Sequence, residues 1–191
     1  MWKQPMGPHV LYCLAVLLVF GCGVRDKTSG IQRLDGATAD PLAKSFERPV
    51  VLVFVRADCP VANRYSPEIT RLNREFRDAT SFYLVYTDPR ETASEVAAHV
   101  HSYALDIPVL RDTQHALVAY TDVRVTPEAA VLEDGEVAYK GRIDDWYVEF
   151  GVARPAPTRR ELHDAIQAVL AGKRPKPPAG PPVGCYISKI S

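Results

Sequence analysis

Cys59 is the residue in this chain whose setting most favours reaction. It follows the apolar run Pro49-Val50-Val51-Leu52-Val53-Phe54-Val55 and precedes Pro60-Val61-Ala62-Asn63-Arg64-Tyr65-Ser66-Pro67-Glu68. A short β-branched run reads as a buried strand, and the stretch after it reads as a helix. The thiol thus stands where a strand hands over to a helix N-terminus. Unpaired N–H groups and the positive end of the helix dipole favour an anion there. Such placement lowers a cysteine pKa from about 8.5 into a range of about 3.5–7.5, and the thiolate is the nucleophile. The competing reading is a buried, inert cysteine at a strand end.

Attack by such a thiolate on a substrate sulfur leaves a mixed disulfide, and attack on a peroxide oxygen leaves a sulfenic acid. Either product needs a second thiol. The chain has four cysteines, Cys13, Cys22, Cys59 and Cys185. Cys13 and Cys22 lie in an N-terminal apolar segment, which leaves Cys185 as the candidate resolving thiol. It sits far downstream on a Pro-rich tail, so a flexible tail makes sequence distance no obstacle. A redox pair and a permanent bridge are both open, and a bridge over so long a loop stabilises a fold by about 5 kcal/mol at most. Arg56, Arg64 and Tyr65 flank the sulfur in sequence and are candidates to stabilise a thiolate or orient substrate. Plain surface solvation is the alternative for the arginines.

The elements that must hold these groups follow from periodicity and punctuation. Residues 31–42 read as a small strand or hairpin around Asp35-Gly36, and 49–55 as the first central strand. Residues 59–76 predict a helix with Ile69, Leu72 and Phe76 inward. A strand over 81–86, a helix over 91–104, an extended piece over 107–110 and a short helix over 113–120 come next. Residues 128–132 and 136–140 flank Asp134-Gly135, a hairpin signal. The last helix spans 158–171, with Thr158 as N-cap and Glu161 completing a capping box. The order β-α-β-α-α-β-β-α predicts an α/β fold, a central mixed sheet covered by helices on both faces.

Length and charge bound the rest. The chain has 191 residues, enough for one domain with a real core. Lys plus Arg and Asp plus Glu number 23 each, so charge points to no nucleic-acid partner. Lys3 precedes an apolar run over 10–20, shorter than the roughly 20 residues a membrane span needs. That run ends Leu18-Val19-Phe20-Gly21-Cys22-Gly23 and resembles a bacterial lipoprotein signal, cleaved before Cys22 with lipid on its sulfur. A secretory peptide cut nearby and a short uncleaved anchor are the alternatives. All three place the domain outside the cytoplasm, and the first ties it to the membrane through lipid. Cys59 and Cys185 would then remain as a pair in an oxidising compartment. The expected division is a signal over 1–22, a tether over 23–30, a domain over 31–172 and a tail over 173–191 that carries Cys185.

The element order and these residues resemble the thioredoxin superfamily, over about residue 31 to the end of the last helix. Cys59 opens a helix after the first central strand, Pro67 stands eight residues later, and Val125-Thr126-Pro127 precedes the hairpin. The string from Arg56 to Glu68, Gly-Arg-Ile-Asp-Asp at 141–145 and the Gly184-Cys185 dipeptide look like the redoxin (AhpC/TSA-like) branch of secreted bacterial proteins. The resemblance implies a thioredoxin-like fold and a thiol-disulfide oxidoreductase, with thiol peroxidase as an alternative. It implies a cis bond before Pro127, accessible because cis costs only about 0.5–1 kcal/mol at X-Pro. It also implies that the Thr126 backbone pairs with an extended substrate. The implied partners are protein thiols and disulfides or peroxide, with an external thiol reductant; no cofactor is implied.

The departures matter equally. Ala62 stands where a CxxC motif has its second cysteine, and Val53 where thioredoxin has its buried acid. Peroxiredoxins place Thr or Ser three residues before the reactive cysteine and Pro seven before, positions held here by Arg56 and Leu52. Thioredoxin-like copper carriers use CxxxC, and Asn63 replaces its second cysteine. A Cu(I) site from Cys59, Cys185 and one of His99, His101 or His115 remains as a rival class. A non-enzymatic module docked on a membrane redox complex is a third. Arg142, Asp144, Asp145 and Trp146 either line the site or form a polar loop with one anchoring aromatic.

Overall fold

The computed structural model describes residues 30–190. The predicted signal segment with Cys22, and nearly all of the tether, lie outside the described residues. The chain enters through β1 (Gln32–Arg33), a turn at Gly36, and a short helix α1 (Pro41–Lys44) capped by the Asp40 carboxylate. The apolar run before Cys59 becomes β2 (Val50–Val55), buried at all six positions. Then follow α2 (Pro60–Phe76), β3 (Ser81–Tyr86), α3 (Ala93–Ser102), β4 (Val109–Arg111) and α4 (Ala116–Thr121). The chain continues through β5 (Val125–Thr126), the hairpin β6 (Glu128–Glu133) and β7 (Glu136–Gly141), and a small ribbon β8 (Tyr147–Glu149) with β9 (Val152–Ala153). It ends in α5 (Glu161–Leu170) and β10 (Cys185–Tyr186).

Six strands form one mixed sheet in the order β1-β4-β3-β2-β6-β7. β2 pairs parallel with β3 and antiparallel with β6, so it lies inside the sheet and buries both faces. Val51, Val53 and Val55 pack with Ile69 and Leu72 of α2, Val96 of α3, and Leu162 and Ile166 of α5. Val50, Leu52 and Phe54 pack on the opposite face with Leu117 of α4, with Leu42 of α1 alongside. Each such side chain contributes about 1.5–3 kcal/mol when fully buried. Asp134 and Gly135 both take positive φ, +48° and +75°, the type I′ geometry that the Asp-Gly pair predicts between β6 and β7.

Three local expectations need correction. Thr158 does not cap the last helix: α5 begins after Arg160, which makes no side-chain cap bond, and the capping box is not formed. The Thr158 amide and hydroxyl go instead to the Asp145 carboxylate, and Glu161 pairs with Arg142. The short helix begins at Ala116 and not at residue 113, because the Asp112 carboxylate takes the amides of Ala116 and Val118. Finally, the Pro-rich tail is extended but not loose. It returns across the molecule, and β10 pairs antiparallel with β5, Cys185 opposite Thr126.

Candidate active site

α2 owes its start to two residues. Pro60 occupies its first turn, where a missing N–H costs nothing. Cys59 is the N-cap, and its Sγ accepts the Ala62 N–H at 3.5 Å. The thiol is therefore aimed at the amides that open the helix. Across from it, the Thr126–Pro127 bond is cis, and the Thr126 carbonyl lies 3.0 Å from Cys59 Sγ as acceptor for its S–H. Both cysteines are free, and Cys185, seated opposite Thr126, is near enough to Cys59 for each thiol to shift the other's acidity.

These contacts drive the two thiols apart in acidity. Burial pushes Cys59 up, but hydrogen bonds from the Cys185 thiol, the Ala62 amide and the Thr126 hydroxyl outweigh it and leave its pKa below the ordinary thiol value. Cys185 is pushed up to about 12, by burial first and then by its bond to Cys59 and the charge there. Of the two, Cys59 thus gives up its proton more readily, and Cys185 holds its own more tightly.

The mouth of the strand–helix junction is nonetheless shut to solvent, and Cys59 is 0% exposed. The tail closes that mouth. Gly184 makes the closure geometrically possible: a Cβ there would fall 2.0 Å from the Thr126 carbonyl oxygen and 2.7 Å from its carbon. The strand is held by its main chain. The Ile187 amide donates to the Arg124 carbonyl at 2.9 Å, and the Thr126 hydroxyl reaches the Cys185 carbonyl at 3.5 Å.

The other predicted site residues divide. Arg56 joins the site from the side of the tail: its guanidinium reaches the Tyr186 carbonyl at 3.4 Å, Asp58 at 2.7 Å and Asp88 at 3.3 Å. Arg64 does not join it; it is exposed and lies over the Trp146 ring, 5.6 Å from the centroid. Tyr65 is buried, and its hydroxyl donates to Asp144 at 2.6 Å, so it ties α2 to the segment after the hairpin and offers nothing to a substrate. Asp144 and Asp145 hold that segment from within, and Trp146 stacks edge-on against Tyr65. They form the anchored loop and not a wall of the site.

Sequence reading missed the groups that steady the Cys59 loop. The Glu91 carboxylate accepts the Ala57 amide at 2.7 Å. Asn63 donates to the Ala57 carbonyl at 2.9 Å while its own oxygen meets His99 Nε2 at 2.9 Å, and His99 Nδ1 meets the Tyr86 hydroxyl at 2.7 Å. Because Asn63 offers its oxygen, Nε2 carries the proton and Nδ1 accepts from Tyr86. Burial holds His99 below the ordinary histidine value, in keeping with that neutral ring. Both ring nitrogens of His99 are thus committed, and His115 Nε2 is bonded to the Thr87 carbonyl at 2.7 Å. Among the described residues no three His, Cys, Asp or Glu side chains converge as metal ligands, and no helix is long and apolar enough to cross a membrane.

A helix-capping cysteine facing a cis-proline loop, on a mixed sheet with helices on both faces, places the molecule in the thioredoxin-like class of folds. Solved structures share that architecture. A hypothetical protein from Sinorhizobium meliloti 1021 superposes with a TM-score of 0.69 at 20% identity, covering 84% of this chain and 90% of that one. A conserved protein from Geobacillus kaustophilus gives 0.67 at 18%, covering 84% and 87%. A secreted Mycobacterium tuberculosis disulfide oxidoreductase, homologous to E. coli DsbE, gives 0.52 at 21%, covering 77% and 97%. Within the class, residues 32–140 match the AhpC/TSA family, and the chain belongs to it. No curated protein sequence matches the chain.

Proposed function

We propose that this chain is an extracytoplasmic thiol-disulfide oxidoreductase in which Cys59 is the nucleophile and Cys185 the resolving thiol. The observation that carries the reading is the seating of Cys185 opposite Thr126, whose carbonyl lies 3.0 Å from Cys59 Sγ, which sets an acidified thiol beside a proton-holding one. Cys59 thiolate attacks a substrate disulfide, forms a mixed disulfide and expels one substrate thiolate. Cys185 then loses its proton and attacks Cys59 Sγ, releasing the second substrate thiolate. The substrate gains two electrons, the Cys59–Cys185 pair loses them, and an external dithiol restores the reduced state. The secreted M. tuberculosis neighbour supports this kind of activity and location by analogy of fold. Lipid attachment at Cys22 would tether the domain to the membrane surface.

The test is a trapping experiment. The reduced protein is mixed with a peptide disulfide and digested without reductant. The wild-type chain should yield a Cys59–Cys185 disulfide, whereas Cys185→Ser should accumulate the peptide on Cys59. A wild-type chain that remains a dithiol, with no adduct in the variant, overturns the assignment. Family membership favours peroxide as a second electrophile to be run in parallel. Peroxide would give a Cys59 sulfenic acid and water, and Cys185 would then condense with it, releasing a second water.

A further inference from the structure

Arg56 bridges the two elements that carry the cysteines. Its carbonyl accepts the Cys59 amide at 3.2 Å, so its backbone is locked into the turn that ends at the nucleophile. Its guanidinium crosses to the tail, where Nη1 meets the carbonyl of Tyr186, the residue after Cys185, at 3.4 Å. The side chain is only 13% exposed and is held from the other side by Asp58 at 2.7 Å and Asp88 at 3.3 Å. Its Nε is buried and has no partner among the described residues, which leaves a donor free for a charge that forms nearby. Glu91 lies within reach of the same charge, and Arg90 and Lys189 line the cleft beside it. On the face of the tail toward β7, Arg124, Glu128 and Lys140 are the charged neighbours.

We propose that Arg56 is the positioning residue of the resolving step: it seats Cys185 beside Cys59 and supplies the positive charge that lets the Cys185 thiolate form once Cys59 has reacted. The proposal rests on the reading of Cys185 as the resolving thiol. While Cys59 is reduced, burial, the pull of the Cys59 sulfur and its charge hold the Cys185 proton, Asp58 adds to them, and the Arg56 charge opposes. Attack on a substrate disulfide passes the Cys59 charge to the departing thiolate and leaves a neutral sulfur in a new S–S bond. The influences that came from the Cys59 anion then lapse, and the Arg56 charge remains. The Cys185 proton leaves to water, and the thiolate attacks Cys59 Sγ. The bond from Cys59 to substrate breaks with its electron pair on the second substrate sulfur. The order of steps is thus built in, since the resolving thiol ionises when there is a mixed disulfide to resolve.

The test separates the two steps in one turnover. The reduced full chain, with Cys13→Ser and Cys22→Ser in every sample, is mixed with one equivalent of 4,4′-dithiodipyridine, an uncharged disulfide that Arg56 does not steer. Attack by Cys59 releases the first thiopyridone and attack by Cys185 the second, and stopped-flow absorbance follows both phases between pH 5 and 9. In Arg56→Gln the midpoint of the second phase should move up by about one unit, as an opposite charge at close range demands, with about ten-fold less thiolate below it. Arg56→Lys should restore the midpoint. Asp58→Asn should move it down, because a charge that raises Cys185 is removed while Arg56 stays; this readout stands even where Arg56→Gln fails to fold. A midpoint that is unmoved in Arg56→Gln, or in Asp58→Asn, overturns the proposal, including the case of a slower second phase that reports only a loosened tail. A wild-type chain that releases a single thiopyridone overturns the resolving role of Cys185 itself, whereas two with a fixed midpoint overturn the part of Arg56 alone.

Discussion

At the scale of single residues, the two thiols divide the labour because their surroundings differ. Cys59 has the helix-opening amide of Ala62 and three further donors, the Cys185 thiol, the Thr126 hydroxyl and the Cys185 amide; Cys185 has a negative neighbour and partial burial. The Cys185 thiol is the strongest of the influences that lower Cys59, and this gives a pH prediction. The rate of Cys59 alkylation by a small reagent should rise with pH through a midpoint below that of a free thiol. In Cys185→Ala the midpoint should move up, since the donor is gone and burial remains. A midpoint that stays put in the variant would show that Cys185 does not set the acidity. Tyr65 and Arg64 show the limit of adjacency in sequence. Each is within six positions of Cys59, but the turn of α2 directs one into Asp144 and the other onto Trp146.

At the scale of elements, Asp145 organises the approach to α5. Its carboxylate accepts the Thr158 and Arg159 amides at 2.6 and 2.9 Å and the Thr158 hydroxyl at 2.5 Å. Burial pushes its pKa up, but these donors hold it at about 2. A carboxylate depressed in the folded state stabilises above its unfolded value, about 3.9, and that contribution is lost as pH falls toward 2. Asp145→Ala should therefore cost about 1–3 kcal/mol near neutral pH, measured by urea unfolding. The gap to wild-type should narrow as the buffer is taken below about pH 4; a gap that is constant with pH would rule the carboxylate out as its source.

The same element shows what was legible in the sequence and what was not. Local patterns read well: the β-branched run of β2, the spacing of Ile69, Leu72 and Phe76, and the Asp134-Gly135 turn all carry their own geometry. Thr158 looked like a cap because Glu161 follows it, but the acceptor that takes its amide comes from Asp145, on the segment after the hairpin. β8, β9 and β10 are two or three residues long and show no period. Cys59, Pro127 and Cys185 were visible as candidates from residue type and position. Their assembly was not, since it depends on a missing Cβ at Gly184.

At the scale of the whole molecule, the two sulfurs stand 126 positions apart in the chain (185 − 59), and one bond between them would close everything from α2 to β10 into a ring. Chain-entropy reasoning gives such a ring up to about 5 kcal/mol of added stability. For a domain of this size each kcal/mol raises Tm by about 2–4 °C. The diamide-oxidised protein should thus melt above the reduced one, and Cys185→Ser should show no such gain. Identical melting of both forms in the wild-type would mean that the ring does not form.

The manner in which β10 is seated carries one more implication. A neighbour's C-terminal segment carries the same peptide groups and the same Val183, Cys185 and Ile187 side chains, so the edge of β5 would accept it on the same terms as its own. What keeps the home segment ahead is proximity alone: a short covalent lead confers an effective concentration in the millimolar range. Crowding this domain onto a surface would erode that advantage, and self-sufficiency would give way to exchange of ends between adjacent copies.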